Sequence, residues 1–311
     1  MAQVSVVVPT YNRAELLSSA IASVLNQTFQ DFEITIVDDA SEDNTRDVVL
    51  ALNDKRIKYI RHQVNRGEAA SRNTGITHSE GEFIGFLDDD DQWLPDKLRL
   101  QIDLLENSSP KVGGVYSSFF AIDMENGRTL GQWVPKKRGD IYEDMKSDNF
   151  VGTPSTVLLR RECFSRAGLF DEDIPYGLDY DMWIRISKEF YFDYIKLPLV
   201  KYYFHKDQIS NNLEMRSKGK EALLGKHSHF FMSNKQAYTN HLLELGLLYR
   251  HQQQIGRANA AYLRAIRTYP RRLGNYTGLV KSVISFLLGR RHFLRLKKFR
   301  KTLAARIGTG E

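Results

Sequence analysis

Residues 4–8, Val-Ser-Val-Val-Val, are β-branched without alternation, as in a strand covered on both faces. Residues 9–13, Pro-Thr-Tyr-Asn-Arg, break that run. Helical spacing then covers residues 14–27, with Leu17, Ile21, Val24 and Leu25 on one side. Further apolar runs at 33–37, 57–60 and 83–87 predict three more strands. Helices are expected over 44–52 and from Gly67 to about Thr77. Strands alternating with helices imply an α/β fold with a mostly parallel sheet covered on both faces. Ligands of such sheets sit at the carboxyl ends of the strands. Three of these ends are polar: Thr10-Tyr11-Asn12, Asp38-Asp39 and Asp88-Asp89-Asp90-Asp91.

The four consecutive aspartates leave an apolar strand and repel one another unless a cation neutralises them. An all-oxygen set suits a hard ion such as Mg²⁺ or Mn²⁺. The alternative is a solvated acidic turn capping the helix that begins near Pro95. No G-x-G-x-x-G follows the first strand, which argues against a dinucleotide-binding domain. No G-x-x-x-x-G-K-[ST] is present, so a P-loop NTPase is excluded.

Five blocks stand in order at regular spacing: Val-Ser-Val-Val-Val-Pro-Thr-Tyr-Asn-Arg, Ser-Val-Leu-Asn-Gln-Thr-Phe, Ile-Val-Asp-Asp-Ala-Ser, Asn65-Arg66-Gly67 with Ala70-Ser71-Arg72-Asn73-Thr74-Gly75, and Leu-Asp-Asp-Asp-Asp. Over residues 3–212 the chain resembles the family 2 glycosyltransferases of GT-A fold. The resemblance implies nucleotide contacts for Thr10, Tyr11, Asp39 and Arg72. Asp39 matches the acceptor of the uracil N3–H, which cytosine lacks; its alternative is a helix cap. Asp88 and Asp90 match the D-x-D motif, with Asp90 as metal ligand. Asp88 or Asp89 would hold the ribose or a metal-bound water. His205, after Tyr202-Tyr203-Phe204, matches a histidine near the metal or diphosphate, although such a residue is more often structural.

A helix is expected over 95–105 and strands over 112–120 and 153–160. Residues 121–149 look irregular and carry a basic segment, Lys136-Lys137-Arg138, that either meets a phosphate-bearing acceptor or is an ordinary solvated turn. The block Leu178-Asp179-Tyr180-Asp181-Met182-Trp183-Ile184-Arg185 resembles the family's Glu-Asp-aromatic-Asp-x-Trp-x-Arg. Asp179 keeps the place of the general base. Leu178 replaces the Glu, which predicts weaker like-charge elevation of the Asp179 pKa. Read locally, Asp179 and Asp181 only cap a helix reaching Phe190.

The expected domains are 1–212 (GT-A), 213–270 (helical) and 271–311 (basic tail). Leu242, Leu245, Gly246, Tyr249, Ala258, Tyr262, Ala265 and Pro270 have the spacing of one tetratricopeptide repeat, and that stretch resembles the repeat family. A single repeat cannot bury its own face, so packing on the catalytic domain or on a partner is expected.

The net charge of +6 is uneven: residues 271–311 carry eleven Lys/Arg against Glu311 alone. With Leu279, Val283, Phe286 and Leu287 this reads either as a basic amphipathic stretch on an anionic bilayer or as a packed helical tail. Binding of nucleic acid is not expected. One cysteine, Cys163, and no basic leader at Met1 point to the cytoplasm, with peripheral contact at the inner membrane face.

The whole predicts an inverting glycosyltransferase using a UDP- or dTDP-sugar, Mn²⁺ or Mg²⁺, and a glycan or lipid-linked acceptor of the cell envelope. A nucleotidyltransferase, or a non-catalytic scaffold acting through the repeat, are the alternatives.

Overall fold

The structure is a computed structural model that describes residues 2–272 and 274–284. It divides into two compact units, residues 1–211 and residues 212 onward. The first unit opens with β1 (Val4–Thr10), α1 (Ala14–Leu25), β2 (Phe32–Asp38), α2 (Thr45–Ala51), β3 (Ile57–Arg61), α3 (Glu68–Thr77) and β4 (Phe83–Phe86). There follow β5 (Gln92–Trp93), α4 (Lys97–Glu106), β6 (Val112–Asp123), β7 (Thr129–Trp133), β8 (Val157–Arg160), α5 (Glu162–Ala167), α6 (Leu178–Glu189) and β9 (Tyr191–Phe204).

One nine-stranded sheet runs β3-β2-β1-β4-β8-β6-β9-β5, with β7 added to β6. The alternating N-terminal half gives parallel pairs β3-β2-β1-β4, as expected. The other half is mixed: β8 is antiparallel to both β4 and β6, and β9 runs parallel to β6. The sheet is therefore not mostly parallel throughout.

Every residue of β1 is buried, which its unbroken apolar pattern requires. Leu17, Ile21 and Val24 of α1 are sealed beneath it; each such side chain contributes about 1.5–3 kcal/mol of burial. Helix α3 lies so close to β1 that a Cβ on Gly75 would sit 2.2 Å from Val7 Cγ1. The loop before α3 is tied to the end of β2 by the Arg66 and Gly67 amides, which donate to Asp39.

Two expected stretches are built differently, and one long strand had no counterpart in the sequence reading. Residues 121–123 complete β6, and Thr129–Trp133 turns back on it as β7, so the stretch 121–149 is only partly irregular. The expected strand over 153–160 begins with a 3₁₀ turn at Pro154–Thr156, because the Thr156 amide donates back to the Thr153 carbonyl at 3.1 Å. β9 spans fourteen residues through Pro198, which a register shift against Ser117 and Ser118 accommodates.

The second unit contains α7 (Leu213–Lys226), α8 (Ser228–Met232), α9 (Lys235–His251) and α10 (Ile255–Thr268). Asn212 and Asn234 cap α7 and α9 with their side-chain oxygens. In the α9–α10 pair, Leu242, Leu245, Tyr249, Ala258, Tyr262 and Ala265 are buried. A Cβ on Gly246 would meet Tyr262 Cε1 at 2.4 Å. Residues 274–284 are helical. The basic amphipathic stretch expected over 271–311 lies mostly outside the described residues, including Phe286 and Leu287. No helix among the described residues is long and apolar enough to cross a membrane.

Candidate active site

The site lies where β1, β2 and β4 end. After β1 the chain turns through Asn12 in the left-handed region (φ 53°). That strain is held by two hydrogen bonds: the Asn12 amide to Ser41 Oγ at 2.9 Å, and the Glu42 amide to Asn12 Oδ1 at 2.7 Å. Ala40 is also left-handed (φ 66°), pinned where Asp38 Oδ1 accepts from the Ser41 amide at 2.7 Å. Two non-glycine residues in this region, each braced by a neighbour, fix the mouth of the site.

Asp39 is 4% exposed. Oδ1 lies 2.6 Å from His62 Nδ1 and accepts the Arg66 amide at 2.9 Å, while Oδ2 accepts the Gly67 amide at 2.7 Å. A carboxylate has about four lone-pair directions, so one remains on Oδ2. Asp39 does not cap α2: Asn44 holds the N-cap position without a side-chain bond, and Asp43 Oδ1 accepts the Thr45 amide. Tyr11 stands at the mouth, 44% exposed.

The acidic turn is divided among four environments. Asp88 Oδ1 accepts from Arg72 Nη2 at 2.5 Å, and its Oδ2 from Thr153 Oγ1 at 3.4 Å. Arg72 is 1% exposed and also pairs with Glu68, so it braces Asp88 from below rather than opening onto the cleft. Asp89 is turned inward: Thr10 Oγ1 donates to Oδ2 at 2.8 Å and Arg13 Nη1 to Oδ1 at 2.9 Å. Burial outweighs Arg13 and pushes its carboxyl up to about 6. Asp90 Oδ2 meets Arg13 Nη1 at 2.8 Å and His205 Nε2 at 3.0 Å. Asp91 accepts the Tyr203 amide at 3.2 Å on Oδ1, while its buried Oδ2 has no donor. Burial, with Asp90 and Asp88 adding like charge, pushes the Asp91 carboxyl up.

Among the described residues, no three His, Cys, Asp or Glu side chains converge on one point closely enough to hold a metal. The donors fit a different arrangement. Asp90 Oδ2 beside His205 Nε2 offers one or two protein ligands. Mg²⁺-type ions at phosphate substrates take few protein ligands and complete their shell with phosphate oxygens and water.

Asp179 occupies the second position of α6, half-buried. Asn149 Nδ2 donates to its Oδ2 at 3.0 Å. Burial pushes its carboxyl up to about 6, with Glu68 and Asp88 adding to the rise and Arg72 opposing it. Leu178 adds no like charge beside Asp179; burial supplies most of the rise, and the like charge that adds to it comes from Glu68 of α3 and Asp88 of the acidic turn. Asp181 is fully buried and paired to Arg185 at 2.8 Å, a structural role. Of the basic segment, Lys137 is paired with Asp144 at 2.7 Å.

The structure thus joins Thr10, Asp89, Asp90 and His205 in one hydrogen-bonded group, and Arg72, Asp88 and Asp179 in an adjoining electrostatic one. Arg13, Glu68, Asn149 and Thr153 belong to these groups, and His62 to Asp39, without a role in the sequence reading. Of these, only Arg13, lying inside a quoted motif, carried any signal there, while Asp91 was read only as one of the four aspartates.

Residues 5–168 match the family described as Glycosyl transferase family 2. A relative from Escherichia coli, UDP-Glc:alpha-D-GlcNAc-diphosphoundecaprenol beta-1,3-glucosyltransferase WfgD, is 31% identical over 242 residues, covering 77% of this chain and 90% of that protein. Uncharacterized glycosyltransferases from Rickettsia felis, Rickettsia conorii and Rickettsia bellii are longer, and the chain spans 32–35% of their length. The fold is similar to S. aureus TarS 1-349 in complex with UDP-GlcNAc, with TM-score 0.61 and 17% identity over 92% of both chains. It is also similar to the mannosyltransferase PcManGT from Pyrobaculum calidifontis in complex with GDP-Man and Mn2+, with TM-score 0.60 and 20% identity over 98% of this chain and 86% of that one. The five sequence blocks, the sheet that carries them and these matches agree: the chain belongs to glycosyltransferase family 2.

Proposed function

We propose that this glycosyltransferase is an inverting enzyme that moves a sugar from a uridine (or thymidine) diphosphate sugar to a hydroxyl of a lipid-linked or envelope glycan. The carrying observation is the environment of Asp179. Its carboxyl is raised to about 6 in a site shared with Asp88 and Arg72, so it is ionised near neutral pH yet basic enough to accept a proton. Asp179 takes the acceptor hydroxyl proton as that oxygen attacks the anomeric carbon. The bond from that carbon to the β-phosphate oxygen breaks, the nucleoside diphosphate leaves, and the anomeric configuration inverts. Asn149 holds the carboxylate in place for this step.

Asp39 accepts the uracil N3–H on its remaining Oδ2 direction, and Tyr11 lies along the base. Asp88 faces the ribose, held from below by Arg72, while Thr10 and Asp89 brace the turn. Asp90, with His205 beside it, would hold Mn²⁺ or Mg²⁺. When bound, that ion supplies Lewis-acid neutralisation of the charge growing on the leaving diphosphate. The acceptor class follows from the E. coli relative, whose name specifies a sugar on diphosphoundecaprenol. On this reading the reaction runs at the cytoplasmic face of a membrane. The α9–α10 pair is proposed to be a tetratricopeptide-like repeat.

The test is UDP release from a panel of UDP-sugars with a GlcNAc-diphospho-lipid acceptor, and anomeric NMR of the product. A β-linked product from an α-configured donor is expected, with Asp179→Asn inactive but still binding UDP. A retained anomeric configuration overturns inversion. Undiminished transfer by Asp179→Asn overturns the base.

A further inference from the structure

The acidic turn already holds a cation of its own. Arg13 Nη1 bridges Asp89 Oδ1 at 2.9 Å and Asp90 Oδ2 at 2.8 Å, and Nη2 reaches the Asp207 carbonyl at 3.5 Å. The oxygen it occupies on Asp90 is the one that also faces His205 Nε2, the same pair argued above to hold a divalent ion. A guanidinium and a metal ion cannot both use that oxygen at bonding distance without strong mutual repulsion.

The local backbone leaves only the side chain free to move. Asn12 is locked to Ser41 and Glu42, and the Ala14 amide donates to Asp43 Oδ2 at 3.1 Å. Arg13 is thus clamped on both sides, while its side chain is 26% exposed against 6% and 12% for Asp89 and Asp90. It is the outermost member of the cluster, at the carboxyl end of β1, where ligands of such sheets bind. Its planar fork matches two phosphate oxygens as well as two carboxylate oxygens.

We propose that Arg13 is an exchangeable placeholder. In the donor-free enzyme it neutralises Asp89 and Asp90 and keeps the turn assembled. When a divalent cation arrives with the donor, Arg13 releases Asp90 and grips the diphosphate. This inference rests on the reading of Asp90 as the metal contact.

The test is Mn²⁺ binding followed by the electron paramagnetic resonance of free Mn²⁺, with and without UDP, on wild type, Arg13→Gln and Arg13→Lys. Removing the competing charge makes Arg13→Gln bind Mn²⁺ alone about tenfold tighter. Removing the fork makes it bind the Mn²⁺–UDP pair about tenfold weaker. Opposite signs in one variant are the signature, since a merely structural arginine would weaken both. Arg13→Lys keeps the charge and loses the fork. It is expected to match wild type for Mn²⁺ alone and Arg13→Gln for Mn²⁺–UDP, and it carries the test if Arg13→Gln fails to fold. Changes of the same sign, or none, with normal wild-type binding overturn the placeholder alone. A wild-type protein that takes up no Mn²⁺ with or without UDP overturns the Asp90 reading and the placeholder with it.

Discussion

Replacing Asp179, the proposed base, with Asn is expected to abolish transfer while making the fold more stable at neutral pH. The Asp179 carboxyl is held at about 6 against an ordinary 3.8. At about 1.4 kcal/mol per pH unit, an ionised Asp179 opposes folding by about 3 kcal/mol above pH 6. The sign follows from proton linkage. A carboxyl raised in the folded state binds protons more tightly there than in the unfolded chain. Its cost is absent below pH 3.8, grows as pH rises toward 6, and is constant above. Asn has no such dependence. The stability difference between the two proteins therefore widens with pH, by about 1–2 kcal/mol from pH 5 to pH 7.5. For a unit of this size that corresponds to about 3–6 °C in melting temperature. Contributions from Asp89 and Asp91 are common to both proteins and cancel. Urea unfolding followed by tryptophan fluorescence reports the relevant unit, because Trp93, Trp133 and Trp183 all lie in its sequence. A difference that stays flat or narrows as pH rises would refute the placement of Asp179 in a site that resists its charge.

Asn149 donates to the ionised Asp179, so Asn149→Ala should raise the base pKa and move the acid limb of the pH–rate profile upward by about half to one pH unit; a limb that stays in place contradicts that role. Gly75→Ala forces a Cβ to 2.2 Å from Val7 Cγ1 and should cost about 1–3 kcal/mol in the urea series. Gly246→Ala, with Tyr262 at 2.4 Å, should lower the helical melting transition seen by circular dichroism by a similar energy.

The N-terminal half of the fold was legible because its strands are buried on both faces and its helices carry single apolar stripes. Both patterns are local, and β1 to β4 emerged within one or two residues of expectation. β7 and β9 were not legible for the opposite reason. β7 is mostly exposed and lacks an apolar face, while Lys196 and Pro198 interrupt β9. The site divides the same way. Asp39, Asp88, Asp90 and Asp179 stand at the ends of elements that sequence pattern locates. Asn149 lies in a loop thirty residues from Asp179, and nothing in its local sequence reveals that pairing. Burial raising the Asp179 pKa was likewise invisible, since it comes from packing around α6 rather than from the residue beside it. The inward turn of Arg72 and Asp89 depends on partners from α3, β1 and the loop after it, which meet only in the folded sheet.

The central claim is a metal-dependent uridine nucleotide site built from Asp39 and the acidic turn. Calorimetric titration of UDP, GDP, CDP and dTDP, each with and without Mn²⁺, tests it most directly. The account predicts binding of UDP, and to a lesser degree dTDP, that needs Mn²⁺ and disappears in Asp90→Ala. Tight GDP binding would contradict the role given to Asp39, and Mn²⁺-independent UDP binding that survives Asp90→Ala would contradict the role given to the acidic turn.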